Sequence, residues 1–519
     1  MSSSNPSPTP SPTPSQRSFL PQAWRRRNLS LGLLLIFVLS LWLRFWQLNR
    51  LNTLIFDEIY FADHGFSYLK QLDLFDVHPP LGKYFLALGI WLHAHLFGGA
   101  EAFRAAREVG DLDAIAYRWL NAFTGSLIPL LVGAIAYQWT HRDRLTLLAA
   151  GFTALDGLLL VESRLSLINI YLLFFGLLGL WCFGQAIAQN MAFKWLIAAG
   201  LFWGTSASVK WNGLGFWLGF FILYSLAWIL EELQQWRPPK PKPDKHKYED
   251  SDVASDSIIE SKNNNLNDSS KLTYPLFSSD PKEKNPLRFL KKTSLLKLSF
   301  SLGFVPFIFY RLQWIPHLQL HPKFTFLEMQ RQILGYHESI GSSVDDHPYC
   351  SAWHSWIWMR RPVAYYFERL QLNGETVIID IHAMGNPILW WLSTLAICAL
   401  IGTWLSTLWD WWNQDPINGP QWCLHSVLIS QYAANFLPWA AVSRCTYIYH
   451  YMAASLLAFI TLAWWIDLGL RKRSWLKQLL SWTVIILIIA GFIYWLPIYI
   501  GLPLSPEAFH RRMWFRSWY

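Results

Sequence analysis

Long apolar runs alternate with short polar joints along the whole chain. Runs at 29–47, 118–138, 146–161, 166–187, 195–209, 212–231, 294–312, 388–409, 421–440, 447–468 and 477–498 approach the ~17 to 25 residues a helix needs to cross a bilayer, two of them falling short. The pattern predicts an all-α polytopic membrane protein with about eleven transmembrane helices and interfacial helices in its external loops. The segment YFLALGIWLHAHLFGG, 84–99, holds two histidines and only about 14 apolar residues, too few to span. It follows the diproline Pro79-Pro80, a good helix entry, and is expected to lie on the outer leaflet. A true crossing there would invert every later segment.

These runs divide the chain into a tail, 1–28, and a first membrane module, 29–231, whose first external loop covers 48–117. A hydrophilic linker, 232–293, leads to a second module, 294–519, with an external loop at 313–386. The tail, MSSSNPSPTPSPTPSQ, is rich in Ser, Pro and Thr and lacks the short apolar core of a signal peptide. Tail and linker are both expected to be disordered and cytoplasmic. The 313–386 loop is instead rich in Trp, Tyr, His and Arg, and is expected to fold against the membrane surface.

Composition agrees with a bilayer protein: 53% of residues are hydrophobic and 32 are Trp. The net charge of +9 raises the question of nucleic acid, but Lys and Arg sit at segment ends beside Trp and Tyr, as at lipid headgroups. No nucleic-acid partner is expected. RRR at 25–27 argues for a cytoplasmic start, and alternation then puts HRDR at 141–144, Lys194 and RKR at 471–473 on the same side. The five cysteines lack zinc-site spacing. Cys182, Cys398 and Cys423 lie in apolar runs, whereas Cys350 and Cys445 fall in external loops, where a disulfide and two free thiols are both open.

On this topology the unusual polar residues gather on one external face. They are Asp57-Glu58, HPPLGK at 78–83, ESR at 162–164, SVKWN at 208–212, HPYCSAWHSWIWMRRPVAYYFE at 347–368 and SRCTYIYHY at 443–451. Each alone has a plain explanation: a solvated acid pair, snorkelling for Arg164 and Lys210, headgroup contacts for Arg361 and Arg444, a hydrogen-bonded interfacial His450. Together they match the needs of glycosyl transfer from a lipid phosphate. A carboxylate takes the proton of an acceptor hydroxyl, cations hold the phosphate as the sugar leaves, and aromatic walls suit sugar and isoprenoid. This chemistry requires no metal or other cofactor; a divalent cation is not expected, although Glu58 or His78 could assist one.

At these residues the chain resembles the protein O-mannosyltransferase family, membrane glycosyltransferases of the GT-C class. The matching elements are FDEIYFADHG, HPPLGK, LDGLLLVESR, SVKWNG, HPYCSAWHSWIWMRRPVAYYF, GNPILWW and RCTYIYHY, in order over nearly the whole membrane portion. The resemblance implies inverting transfer of mannose from a polyprenyl-phosphate-mannose donor to Ser or Thr hydroxyls of secreted or membrane proteins, on the external side. It makes Asp57 the catalytic base, with Glu58 beside it orienting acceptor or base. Arg164 becomes the donor-phosphate residue, with Lys210, Arg361 and Arg444 as further candidates. His78, Lys83, His347 and His450 are left to shape the loops and the cavity. The secretion machinery is a candidate partner. Two departures stand out: the family commonly carries an acid five positions after the arginine, where this chain has Asn169, and no MIR-like domain fits within 313–386. The bacterial form also lacks that domain, which points to a bacterial plasma membrane. Rival readings are a sister GT-C enzyme that moves aminoarabinose or another sugar from undecaprenyl phosphate to lipid A or a glycolipid, and a non-enzymatic transporter. A transporter would place its charges at the midplane, commonly in inverted repeats, and no repeat is visible here.

Overall fold

The computed structural model describes residues 22–237, 285–341 and 347–519, with side chains from Arg27 onward. Of the expected disordered tail, 1–28, and linker, 232–293, residues 1–21 and 238–284 lie outside the described residues, whereas 22–28 belong to α1 and the described linker ends carry helical turns up to Trp236 and at Arg288–Lys291. The first module contains α1 (Gln22–Phe45), α2 (Glu58–Lys70), α3 (Leu81–Leu96), α4 (Ala100–Ala105), α5 (Ala114–Thr140), α6 (Asp143–Ala154), α7 (Gly157–Arg164), α8 (Asn169–Ala188), α9 (Phe193–Val209) and α10 (Leu214–Leu233). The second contains α11 (Val305–Leu312), α12 (Ile315–Leu320), α13 (Phe326–Ser339), α14 (Pro387–Trp412), α15 (Gly419–Phe436), α16 (Met452–Arg471) and α17 (Trp475–Tyr499).

Among the described residues eight helical segments are long and apolar enough to cross a membrane, or nine if α6 and α7 form one broken span bent by 57°. The break has a local cause. Asp156 caps α7, its carboxylate accepting from the Leu159 amide at 2.9 Å and from the Trp390 indole at 2.7 Å. All eight residues of α7 are buried, and most of α16 is too, so these two helices occupy the middle of the bundle. α9 meets α11 and the turn before it closely because Gly200 and Gly204 have no side chain; a Cβ there would strike the Ser301 carbonyl and Pro306.

One end of the bundle is held by cations. Arg142, ahead of α6, pairs with Asp467 near the end of α16 at 3.4 Å, and Arg237 reaches the last carbonyls of α14 at Trp411 and Trp412. The other end carries the ordered loops. Within 313–386 the structure adds an element beyond the expected helices, an antiparallel hairpin of β1 (Val363–Leu372) and β2 (Glu375–Ala383). Its turn is Asn373-Gly374, both with positive φ (53° and 85°), the pair that matches a two-residue turn to the twist of its strands. Cys350 and Cys445 form a disulfide, and Ser351 and Thr446 exchange hydrogen bonds alongside it, tying the long loop to the segment that enters α16.

Candidate active site

Asp57 stands at the N-cap of α2, yet its carboxylate makes no capping bond to that helix. An aspartate at this position normally satisfies a first-turn amide. Here the carboxylate is left available for other work. Burial raises its pKa from 3.8 to about 6, against the pull of Lys210 and with a contribution from Asp76. Lys210 ends α9 in an extended conformation, and its ammonium lies 5.4 Å from the centre of the Tyr449 ring. Burial and the charge of Arg444 bring it down to about 8, with Asp57 opposing, so it stays largely protonated at neutral pH. Arg444, half-buried before α16, donates to the Cys445 carbonyl at 3.0 Å.

Lys210 and Arg444 line a cavity of about 710 Å³ together with His78, Asn212, His337 and Glu338. Apart from Asn435 and Ser443 its remaining wall is apolar, with Trp217, Leu218 and Phe221 on α10 and Trp439 after α15. His78 is held well below its usual pKa, first by burial and then by Lys210 and Lys83. His337 falls to about 4, through burial and then Arg444 and Lys210. Both rings are therefore neutral near pH 7 and can donate without adding charge. A second cavity, of about 320 Å³ and almost wholly apolar, shares Trp211, Leu214 and Trp217 with the first and runs between α9, α10 and α11.

The structure brings Lys210, Arg444 and His78 to one cavity, with Asp57 coupled to them through Lys210. It directs other candidates elsewhere. Arg164 gives its guanidinium to the carbonyls of Leu43, Arg44, Trp46 and Gln47 at the end of α1, between 2.9 and 3.2 Å, and lines a separate small crevice with Arg118. Arg164, expected at the donor phosphate, thus has its guanidinium bonded to a helix end and lies outside the lining of the cavity that holds Lys210 and Arg444. Glu58, expected to orient acceptor or base, is 0% exposed. It takes two bonds from Arg118 and one each from the Ser166 and Ile55 amides. Lys83 pairs with Asp76 and donates to the carbonyls of His78 and Pro79 at 2.8 and 2.7 Å, fixing the diproline loop. His347 accepts from the Tyr349 amide at 3.3 Å and meets Tyr447 edge-on. His450 is bonded within its own turn to Tyr447 and packed against Trp356 and Trp439. Arg361 is half-buried ahead of β1, outside the cavity lining.

Sequence reasoning singled out neither Asn212 nor His337. Asn212 lies in the quoted SVKWN motif, whereas His337 sits in an unremarkable polar helix and becomes visible only when α13 folds over the site. Glu162 and Tyr365 fall within the quoted motifs at 162–164 and 347–368, where neither has a role of its own. Tyr365 donates to the Glu162 carboxylate at 2.5 Å, and Asn169 donates to its other oxygen at 3.1 Å.

A mostly helical membrane bundle with an acid and paired cations at one loop-bearing end has the layout of a polytopic glycosyltransferase. Residues 34–242 match the family model described as dolichyl-phosphate-mannose-protein mannosyltransferase, and residues 323–518 match the model of the C-terminal four-helix membrane region of protein O-mannosyltransferase. The chain belongs to the protein O-mannosyltransferase family. It is 22% identical to a polyprenol-phosphate-mannose–protein mannosyltransferase of Mycolicibacterium smegmatis, over 90% of this chain and 88% of that one. It is 24% identical to the protein of the same name from Corynebacterium glutamicum, over 85% and 81%. Among solved structures, the Saccharomyces cerevisiae Pmt1-Pmt2 complex bound to the sugar donor shares the fold with a TM-score of 0.68 at 14% identity, covering 95% of this chain and 93% of that one.

Proposed function

We propose that the protein transfers mannose, with inversion, from polyprenyl-phosphate-mannose to Ser or Thr hydroxyls of proteins on the external face of the plasma membrane. The observation that carries this reading is the two-sided cavity. Lys210 and Arg444 supply charge for a phosphate at one end, and Trp217, Leu218 and Phe221 offer an apolar wall toward the lipid. The adjoining apolar cavity suits an isoprenoid tail. The names of the relatives supply the sugar and the protein acceptor.

In the reaction, Asp57 takes the proton of the acceptor hydroxyl as its oxygen attacks the anomeric carbon from the face opposite the phosphate. The bond between that carbon and the phosphate oxygen breaks. Polyprenyl phosphate leaves with its added negative charge held by Lys210 and Arg444, and neutral His78 and His337 can donate to its oxygens. A carboxyl that titrates near 6 is largely ionised at pH 7 and more basic than an ordinary aspartate.

Sidedness is supported by two observations. The ends held by Arg142 and Arg237 are opposite the site, as cytoplasmic ends should be, and the Cys350–Cys445 disulfide fits an oxidising compartment. In this reading α9, α15 and the broken α6–α7 span would cross the membrane together with the eight long segments, and α3 would lie on the outer leaflet. The test is transfer by the purified protein in nanodiscs, given labelled polyprenyl-phosphate-mannose and a Ser/Thr-rich peptide. Label should enter the peptide; label entering only a glycolipid fraction would favour the sister activity and overturn this reading.

A further inference from the structure

The residue before the proposed base has an unusual backbone. Phe56 has φ of +53°, a left-handed conformation that an aromatic side chain seldom adopts. Such a conformation persists only where its surroundings impose it. Its ring stacks on Tyr365 with centroids 3.9 Å apart and planes within 9°, and meets Tyr449 in an edge contact at 6.4 Å and 68°. Tyr365, on β1, is fixed in turn by its hydroxyl on Glu162, which is wholly buried in α7, and Asn169 at the start of α8 holds the second carboxylate oxygen. The carbonyl of Asp57 accepts from the Tyr60 and Phe61 amides in the first turn of α2, but its carboxylate makes no bond to that turn. Its direction is therefore set through the backbone it shares with Phe56.

We infer that Glu162 and Tyr365 are positioning residues for mannosyl transfer, clamping the ring of Phe56 so that the left-handed turn aims Asp57 at the acceptor hydroxyl. The hairpin thereby joins the catalytic apparatus. Its first strand carries the clamp from the buried centre of the bundle to the loop that bears the base. Asn169 supports the clamp, since its amide donates to Glu162, whereas a carboxylate at that place would face it as a like charge. A contact that merely tethers the hairpin would affect folding but leave turnover per folded molecule unchanged.

This inference rests on the mannosyl-transfer reading, and its test keeps the two separate. Transfer is measured with purified protein in nanodiscs, at saturating peptide and varied polyprenyl-phosphate-mannose, normalised to folded protein by size exclusion. Tyr365→Phe keeps the stacked ring and removes the hydroxyl. It should lower kcat at least about tenfold, as expected of a misaimed group, while donor KM stays within about twofold. Glu162→Leu should do the same, and the double variant should be no worse than either single one, because both break one clamp. Glu162→Gln keeps an acceptor for the Tyr365 hydroxyl and should recover most of the loss. Wild-type kcat for folded Tyr365→Phe, or equal impairment of Glu162→Gln and Glu162→Leu, would overturn the clamp while leaving the activity standing. Absence of transfer by the wild-type protein would instead defeat the functional reading beneath it.

Discussion

Arg118 grips Glu58 at both carboxylate oxygens, 2.8 Å from Nε to Oε1 and 2.6 Å from Nη2 to Oε2, and the same guanidinium donates to the carbonyls of Leu48, Leu51 and Thr53. Adjacent carboxylates in the sequence thus have separate fates. Glu58 locks the loop and the start of α2, whereas the Asp57 carboxylate beside it makes no bond to that helix. Glu58→Gln should destabilise the protein by roughly 3–5 kcal/mol by leaving a buried guanidinium without its counter-charge. Thermal unfolding in detergent checks this; an unchanged midpoint would show that the pair contributes little.

Arg164 and Lys210 should separate in the same way. Arg164→Ala removes donors from the last carbonyls of α1 and should lower the unfolding midpoint, with donor KM unchanged for the folded fraction. Lys210→Ala should raise donor KM roughly tenfold or more, the scale of a lost bond to a charged group. Donor titrations on the two variants, compared side by side, decide it: a raised KM for Arg164→Ala and none for Lys210→Ala would reverse the assignment.

Acid should switch the enzyme off through Asp57. Transfer needs the ionised carboxylate, so kcat/KM should fall tenfold per unit below an apparent pKa near 6. Folding responds with the opposite preference. The folded state holds this proton more tightly than the unfolded chain, so the group's contribution to stability is complete below 3.8 and is lost as pH rises through about 6. Asp57→Asn should therefore be more stable than wild type at pH 7.5, on the order of 1–3 kcal/mol. A lower unfolding midpoint at that pH would contradict the burial that raises the carboxyl.

The disulfide closes a long loop between residues 95 apart in sequence. Replacing Cys350 with Ser should cost about 2–4 kcal/mol of stability, and because Arg444 adjoins Cys445, donor KM should rise as well. Unfolding and donor titration of Cys350→Ser check both effects; a variant equal to wild type in each would remove any structural role for the bond.

How much of this was legible beforehand depends on the distance over which each feature is encoded. The long helices were readable because an uninterrupted apolar run is itself the signal, as from Pro387 to Trp412. Asp57, Lys210 and Arg444 were readable as charges at the ends of such runs. The hairpin was missed although Asn373-Gly374 between two runs rich in β-branched and aromatic residues announces it. Other partners could not be read at all. Glu58 finds Arg118 60 positions away, Tyr365 finds Glu162 across 203, and Arg164 turns to carbonyls that any residues at the end of α1 would supply.

The most direct measurement is single-turnover mannosyl transfer by Asp57→Asn, with donor affinity measured on the same preparation. A base acting on the acceptor hydroxyl predicts a loss of about 10² to 10⁴ in rate with donor binding retained, because Lys210 and Arg444 still hold the phosphate. Wild-type transfer by this variant would contradict it.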